Sequence, residues 1–210
     1  MTEATRLTRA ERKAQTRAAL LDAAARLFAR DGFAGARVEE IAAEAGVTTG
    51  ALYAQFENKE AVFLAVYDRY AAQRVREVAG AGEAATTVPL TLRAAADQWM
   101  ERFDAAPWGL KLHMEFAEYA RRDPKLRDDF AVRVGAVRRA VARNLEEQSA
   151  ATGREMPLGP ERLAAVLRAL GLGLAMERLV DPDAVPAELF GDFVEALFEL
   201  VFEAAEGASG

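Results

Sequence analysis

Helical periodicity runs through nearly the whole chain and constrains its fold more than any other feature of the sequence. Apolar residues recur at spacings of three and four, and no stretch alternates apolar and polar residues long enough to form a β-strand. The prolines lie only at the breaks between periodic segments, at positions 89, 107, 124, 157, 160, 182 and 186. The sequence therefore predicts an all-α protein.

The breaks also predict where the helices begin and end. Asp31 and Gly32 should end the first helix, and Asn58 is a suitable N-cap for a long fourth one. The small and polar stretch over 80–87 predicts a linker, and residues 153–160 predict a loop. The predicted helices cover 10–30, 38–44, 49–55, 59–78, 89–105, 108–121, 124–151, 160–180 and 186–206.

Composition narrows the class of protein. Half of the residues are hydrophobic (51%), which is ample for a folded core, and the absence of cysteine excludes disulfides, zinc–thiolate sites and cysteine nucleophiles. The polar N-terminus lacks the apolar region of a signal peptide, and the apolar stretches are too short for a membrane span. We therefore expect a cytoplasmic protein with no membrane partner.

Charge is distributed unevenly along the chain. Residues 1–30 carry seven cations and three anions, although the whole chain has a net charge of −6. A basic N-terminal segment followed by an acidic remainder is typical of a DNA-binding module fused to another domain.

The stretch from Val38 to Lys59 contains two short apolar-striped segments separated by Gly46. Thr48 can cap the second segment, and its inward residues return to the same small core as those of the first. Two short helices joined by a glycine turn form a helix-turn-helix, whose second helix enters a major groove of DNA. Small residues follow Thr48, as a close approach to DNA requires, and Tyr53 could contact a phosphate.

Many positions in this region together resemble the tetracycline-repressor (TetR) family. The resemblance covers residues 12–64 in detail, and the order of the later helices fits it. It is carried by Leu21-Asp22-Ala23-Ala24, Leu27-Phe28, Gly32-Phe33, Val38, Ile41-Ala42, Ala45-Gly46-Val47-Thr48, Gly50-Ala51-Leu52-Tyr53, Phe56 and Asn58-Lys59-Glu60.

The resemblance implies a helix-turn-helix DNA-binding domain over residues 1–58 and a larger helical effector-binding and dimerisation domain over residues 59–210. It implies a homodimer, usually a repressor, that binds a near-palindromic operator in double-stranded DNA and releases it when a small-molecule effector binds. The residues expected to contact DNA are Arg17, Arg37, Thr48, Thr49, Gly50, Ala51, Tyr53, Gln55 and Lys59.

The sequence departs from the family pattern at positions 37, 49, 54 and 55. The family usually has a capping Thr or Ser where Arg37 stands, and arginine cannot cap a helix N-terminus. Arg37 is either a solvated residue neutralised by Glu39 and Glu40 or a residue that reaches DNA. Tyr53 could instead pack within the protein, and Lys59 and Gln55 could simply be solvated.

Large apolar side chains are concentrated in the first two helices of the second domain, where they could form a core or line a pocket. His113, the only histidine, could be a packed side chain or a ligand contact. The residues expected to bind the effector are Trp99, Phe103, Trp108, His113, Met114, Phe116 and Met176.

The last two helices predict a dimer interface. Apolar residues surround much of the final helix, so it should be buried on more than one side, although a central core helix in a monomer would share this pattern. The residues expected at the interface are Leu163, Leu167, Leu170, Leu174, Phe193, Leu197 and Val201.

Two other functions are alternatives to a DNA-binding regulator. An enzyme is disfavoured, since the chain has no cysteine, one histidine and no carboxylate pair at i, i+3 or i, i+4 spacing next to a histidine on an apolar face, and no cofactor or metal is expected. A helical dimer that has lost DNA binding would fit the altered positions 37, 49, 54 and 55.

Overall fold

The computed structural model describes residues 8–80, 88–153 and 158–207 of the chain. These residues form helices and no β-strand, which confirms the predicted all-α fold class. No helix among them is long and apolar enough to cross a membrane. The helices are α1 (Arg9–Gly35), α2 (Val38–Glu44), α3 (Thr49–Tyr53), α4 (Lys59–Gly80), α5 (Val88–Ala105), α6 (Trp108–Ala120), α7 (Pro124–Thr152), α8 (Pro160–Val180) and α9 (Leu189–Gly207).

Most helix ends lie within three residues of the predicted ones, and α1 is the exception. It continues five residues past its predicted end, although Gly32 interrupts its regular geometry with φ +75° and ψ 175°, a conformation almost restricted to glycine. The predicted linker and loop largely fall on residues 81–87 and 154–157, which lie outside the described residues.

The turn between α2 and α3 is set by local signals in the sequence. Gly46 has φ +70°, and the N–H groups of Gly46 and Val47 donate to Ala43 O and Ala42 O, which is a Schellman motif at the end of α2. The Thr48 hydroxyl accepts from Ala51 N–H at 3.2 Å and caps α3. This turn therefore fixes the direction in which α3 leaves α2.

The first core cluster joins α1–α4 to α6 and α7. Its centre is aromatic: the Phe63 and Phe116 rings are stacked with centroids 3.7 Å apart, and Phe33 meets both edge-on. Ile41 and Leu52 from the two short helices are fully buried in the same cluster, as the sequence predicts. This core continues past residue 58, where the sequence predicts the domain boundary. The position of that boundary stays a prediction.

The second core cluster joins α5, α7, α8 and α9. Met100, Leu145 and Phe198 are fully buried within it. Phe190 of α9 packs against Gly171 of α8, where an added Cβ would lie only 3.1 Å from the ring. The close approach of α9 to α8 thus depends on a glycine.

Candidate functional site

The exposed side of α3 carries the residues predicted to approach DNA. Tyr53 is 51% exposed and Gly50 is also exposed, whereas Leu52 between them is fully buried. Thr49 and Ala51 are half-buried at the start of the helix. The tyrosine therefore faces solvent and does not pack within the chain.

Arg37 stands beside this surface. It is exposed, adopts extended backbone dihedrals (φ −107°, ψ 143°) and makes no side-chain capping hydrogen bond to α2. Arg37, Tyr53 and Lys59 line one open groove together with residues 34–36 and 38–40. The predicted absence of a cap is confirmed, and the arginine is brought close to the exposed tyrosine.

Lys59 is occupied within the protein. Its Nζ donates to Phe33 O at 2.9 Å and Ala36 O at 3.2 Å, and it lies 4.6 Å from the centre of the Phe33 ring. The negative end of a helix dipole favours a cation there. The phosphate contact expected of Lys59 stays a prediction that must compete with these bonds.

Gln55 and Arg17 also have partners within the chain. The Gln55 amide donates from Nε2 to Lys13 O at 3.1 Å, which ties the end of the α3 turn to α1. The Arg17 guanidinium lies 4.4 Å from the centre of the Phe56 ring and remains exposed. Their contacts with DNA likewise stay predictions.

A cavity of about 180 Å³ lies among α4–α9. Four of the seven residues expected to bind an effector line it, namely Trp99, Phe103, Trp108 and His113. Tyr67 and Tyr70 of α4 add two further rings. Trp99, Phe103 and Trp108 of α5 and α6 thus line one pocket, and their contact with an effector stays a prediction.

The other three expected effector residues do not line this cavity. Phe116 is fully buried between Phe33 and Phe63 in the first core cluster. Met114 and Met176 are both 44% exposed at the surface. The prediction that they line the pocket was wrong, because it rested on residue type alone, whereas packing places Phe116 in the core and both methionines at the surface.

One wall of the cavity carries an ionic cluster. Glu77 lies between two guanidinium groups, with Oε1 3.1 Å from Arg102 Nη1 and Oε2 3.2 Å from Arg74 Nη1. Within the described chain, the Nε atoms of both arginines are buried without a hydrogen-bond partner. This wall therefore holds two cations for one carboxylate.

A second polar group lies where α4, α6 and α8 meet. The Tyr67 hydroxyl is 3.1 Å from His113 Nδ1 and also interacts with Arg168, which lines the cavity. Burial raises the pKa of Tyr67 to about 12, and burial together with the Arg168 charge lowers the pKa of His113 to about 4. Both groups are therefore neutral near pH 7.

The polar residues of the cavity were not predicted from the sequence. Arg168 interrupts the apolar residues of α8, and such an interruption was the available signal. Arg74, Glu77 and Arg102 offered a weaker one, since charged residues are common on solvated helix faces. Their convergence depends on tertiary packing, which periodicity does not give.

Exposed apolar side chains lie along α8 and α9. Phe193 is 47% exposed and Leu200 is 66% exposed on α9, and Val166 is half exposed on α8. Leu170, Leu174 and Leu197 are partly buried against the second core cluster. These residues leave an apolar surface that the described residues do not cover.

Two expected interface residues are core residues. Leu163 and Leu167 are buried in the second core cluster of the chain, which leaves them little surface to offer a partner, and the interface role expected of them stays a prediction. The side chain of Val201 lies outside the described part of the chain. Helical spacing identified which residues of α8 are apolar. It did not show which of them face the core of the chain and which face outward.

Two family models match the chain. Residues 20–66 match the model of bacterial regulatory proteins of the tetR family. Residues 90–202 match the model of the C-terminal domain of BetI-type transcriptional repressors. Together the two matches cover the helix-turn-helix and most of α5–α9.

Curated relatives are transcriptional regulators. The repressor AcnR of Corynebacterium efficiens is 30% identical over 65% of this chain and 70% of its own length. The activator FasR of Mycolicibacterium smegmatis is 34% identical over 52% of this chain and 48% of its own length. The regulator YerO of Bacillus subtilis is 47% identical over 21% of this chain and only 16% of its own length. The chain thus spans less than two thirds of YerO and FasR.

Solved structures share the fold. A TetR-family regulator from Mesorhizobium loti superposes with a TM-score of 0.75 at 21% identity, over 93% of this chain and 98% of that one. FadR of Bacillus subtilis, solved in complex with stearoyl-CoA, superposes with a TM-score of 0.70 at 16% identity, over 86% of this chain and 96% of that one. With both family models matched in order along one chain, the protein belongs to the TetR family of bacterial transcriptional regulators.

Proposed function

We propose that this regulator is a homodimeric repressor that leaves its operator when a small molecule occupies the cavity. The observation that carries the proposal is the double role of α6. Trp108 and His113 of α6 line the cavity, whereas Glu115 Oε2 accepts a hydrogen bond from Phe33 N–H of α1 at 2.8 Å. A ligand that displaces α6 would therefore act directly on the DNA-binding domain.

The proposed DNA contacts centre on α3 and the groove beside it. Tyr53 and Arg37 are exposed there and free to meet a phosphate or a base edge, and Thr48, Thr49, Gly50 and Ala51 permit a close approach. Arg17 and Gln55 would contact DNA from the adjoining surface. Lys59 would act chiefly by holding the end of α1 in place.

Replacing Arg37 by threonine is expected to show whether Arg37 is only a solvated surface residue or a residue that contacts DNA. Threonine should cap α2 and stabilise the free protein by about 0.5–2 kcal/mol. If Arg37 reads DNA, the same variant should also bind its operator more weakly, by about 1–3 kcal/mol where a guanine is read. Thermal melts and DNA titrations of the one variant measure both effects.

The control is Arg30→Thr, which removes an exposed arginine of α1 that pairs with Asp31. We expect the control to bind DNA as the wild type does. An Arg37→Thr protein that melts higher and binds its operator with unchanged affinity would contradict the DNA role of Arg37.

The regulatory part of the proposal is tested with labelled DNA from upstream of the protein's own gene. Small molecules are first selected by their quenching of tryptophan fluorescence, since both tryptophans of the chain line the cavity. We expect such a ligand to weaken DNA binding by roughly 5–150-fold, the usual range of allosteric coupling. DNA binding that is the same with and without every cavity ligand would contradict the proposal.

Replacing Glu115 by alanine is expected to uncouple the two sites. The variant should bind the cavity ligand as the wild type does, because Glu115 is directed at Phe33 and not at the cavity. The effect of the ligand on DNA affinity should fall towards none. Glu118→Ala is the matched control on the same helix, since the ion pairs of Glu118 among the described residues are with Arg121 and Arg122 at the surface. Equal coupling in both variants would contradict this role of Glu115.

Repression and dimerisation are supported by separate observations. The match to a BetI-type repressor domain and the similarity to the repressor AcnR favour repression over activation. The uncovered apolar side chains Val166, Phe193 and Leu200 favour a second copy of the chain packed against α8 and α9. A dimer would also match the two-fold symmetry of a near-palindromic operator.

A further inference from the structure

The cavity has an excess of positive charge. Its lining includes three arginines, Arg74, Arg102 and Arg168, and one carboxylate, Glu77. Glu77 is shared by Arg74 and Arg102, and His113 is neutral near pH 7 because burial and Arg168 lower its pKa to about 4. The interior therefore carries more cationic groups than it has carboxylates to neutralise them.

Arg168 is the unneutralised member of this set. It is half-buried on α8, and no carboxylate among the described residues forms an ion pair with it. Its neighbours are the Tyr67 hydroxyl and His113, which are neutral hydrogen-bonding groups. A guanidinium removed from water without an anion is unfavourable, and its planar fork of donors matches a carboxylate.

The remainder of the cavity is apolar and aromatic. Trp99 and Phe103 are stacked in parallel with centroids 6.2 Å apart, and Gly171, one turn after Arg168, also lines the cavity. The volume of about 180 Å³ is slightly larger than a cavity of about 150 Å³ that accepts benzene in another protein. The space is thus suited to one ring or a short chain together with an acid group.

We propose that the effector is a small organic acid whose carboxylate binds Arg168 and whose apolar body lies against Trp99 and Phe103. The proposal rests on the effector-controlled function proposed above and specifies the chemical class of the ligand. The Tyr67 hydroxyl lies beside Arg168 and can donate to the same carboxylate. Organic cations are disfavoured by the same arginines, and neutral analogues leave Arg168 without a counterion.

The test uses tryptophan fluorescence of the full-length protein with matched ligands. Benzoate, phenylacetate and octanoate are compared with their neutral amides and with benzylamine. We expect at least one of the acids to bind with a Kd at least about tenfold lower than that of its amide, as charge-assisted hydrogen bonds imply. Equal binding of acids and amides, or tighter binding of benzylamine, would overturn the proposal.

Variants of Arg168 assign the effect to that residue. Arg168→Met should weaken binding of the acid at least about tenfold and leave binding of the amide unchanged. It should also melt no lower than the wild type, because it removes a half-buried charge that has no carboxylate partner among the described residues. Arg168→Gln provides a second, polar variant with the same expected loss, and Arg162→Met is the control, an exposed arginine on the same helix. Undiminished acid binding by both Arg168 variants would overturn the assignment.

Adding labelled DNA distinguishes this inference from the proposed function. If acids bind through Arg168 and leave DNA affinity unchanged, the ligand class stands and the proposed control of DNA binding fails. If no acid binds and a ligand of another class releases DNA, the control of DNA binding stands and the ligand class is overturned.

Discussion

Replacing Phe193 by aspartate is expected to convert the protein from a dimer to a monomer and to weaken operator binding by at least about a hundredfold. Phe193 is 47% exposed in the protomer, so an aspartate there is solvated in the monomer and the fold is retained. In the proposed dimer the carboxylate would be buried in an apolar interface, which is strongly unfavourable. DNA affinity falls because the two reading domains are no longer linked.

Sedimentation at micromolar concentration and DNA titrations measure these two effects. Phe193→Leu is the matched control, since it keeps an apolar side chain and should remain a dimer that binds DNA. A wild-type protein that sediments as a monomer, or a Phe193→Asp protein that remains dimeric, would contradict the proposed interface.

Replacing Phe116 by alanine is expected to have the largest effect on stability, a loss of about 3–5 kcal/mol in the free energy of unfolding. Phe116 is fully buried and stacks on Phe63, and its ring also meets Phe33 edge-on, so its removal leaves a cavity where α1, α4 and α6 meet. Urea denaturation measures the loss.

Met114→Ala is the control for this prediction, because Met114 lies two residues earlier on the same helix and is 44% exposed. Its substitution should change stability by about 0.5 kcal/mol or less, as surface substitutions usually do. Similar losses of unfolding free energy in the two variants would contradict the placement of Phe116 in the core and of Met114 at the surface.

The helix-turn-helix could be predicted from sequence because its signals are local. Gly46 adopts the positive φ that the turn requires, Thr48 caps α3, and both residues stand at fixed distances from the buried Ile41 and Leu52. Such features depend on a few neighbouring residues, so they can be recognised without knowledge of the rest of the fold. The family resemblance rests on the same positions.

The cavity could be predicted only in part. The aromatic content of α5 and α6 indicated a pocket, and Trp99 and Trp108 do line one, but Phe116 belongs to the core. Which face of α6 meets the cavity is decided by its packing on α1 and α7. Arg168 could not be assigned at all, since its lack of a carboxylate partner is visible only when α4, α6 and α8 are assembled.

Selection of bound fragments from a pool of random DNA shows whether the protein reads a two-fold symmetric operator as a dimer. We expect one enriched near-palindromic sequence, bound by two protomers, with half-sites separated by about one helical turn or a multiple of it. The enrichment should be lost in Tyr53→Ala and in Phe193→Asp, which affect the reading surface and the proposed interface respectively. A folded wild-type protein that enriches no sequence, or only a sequence without two-fold symmetry, would contradict the account.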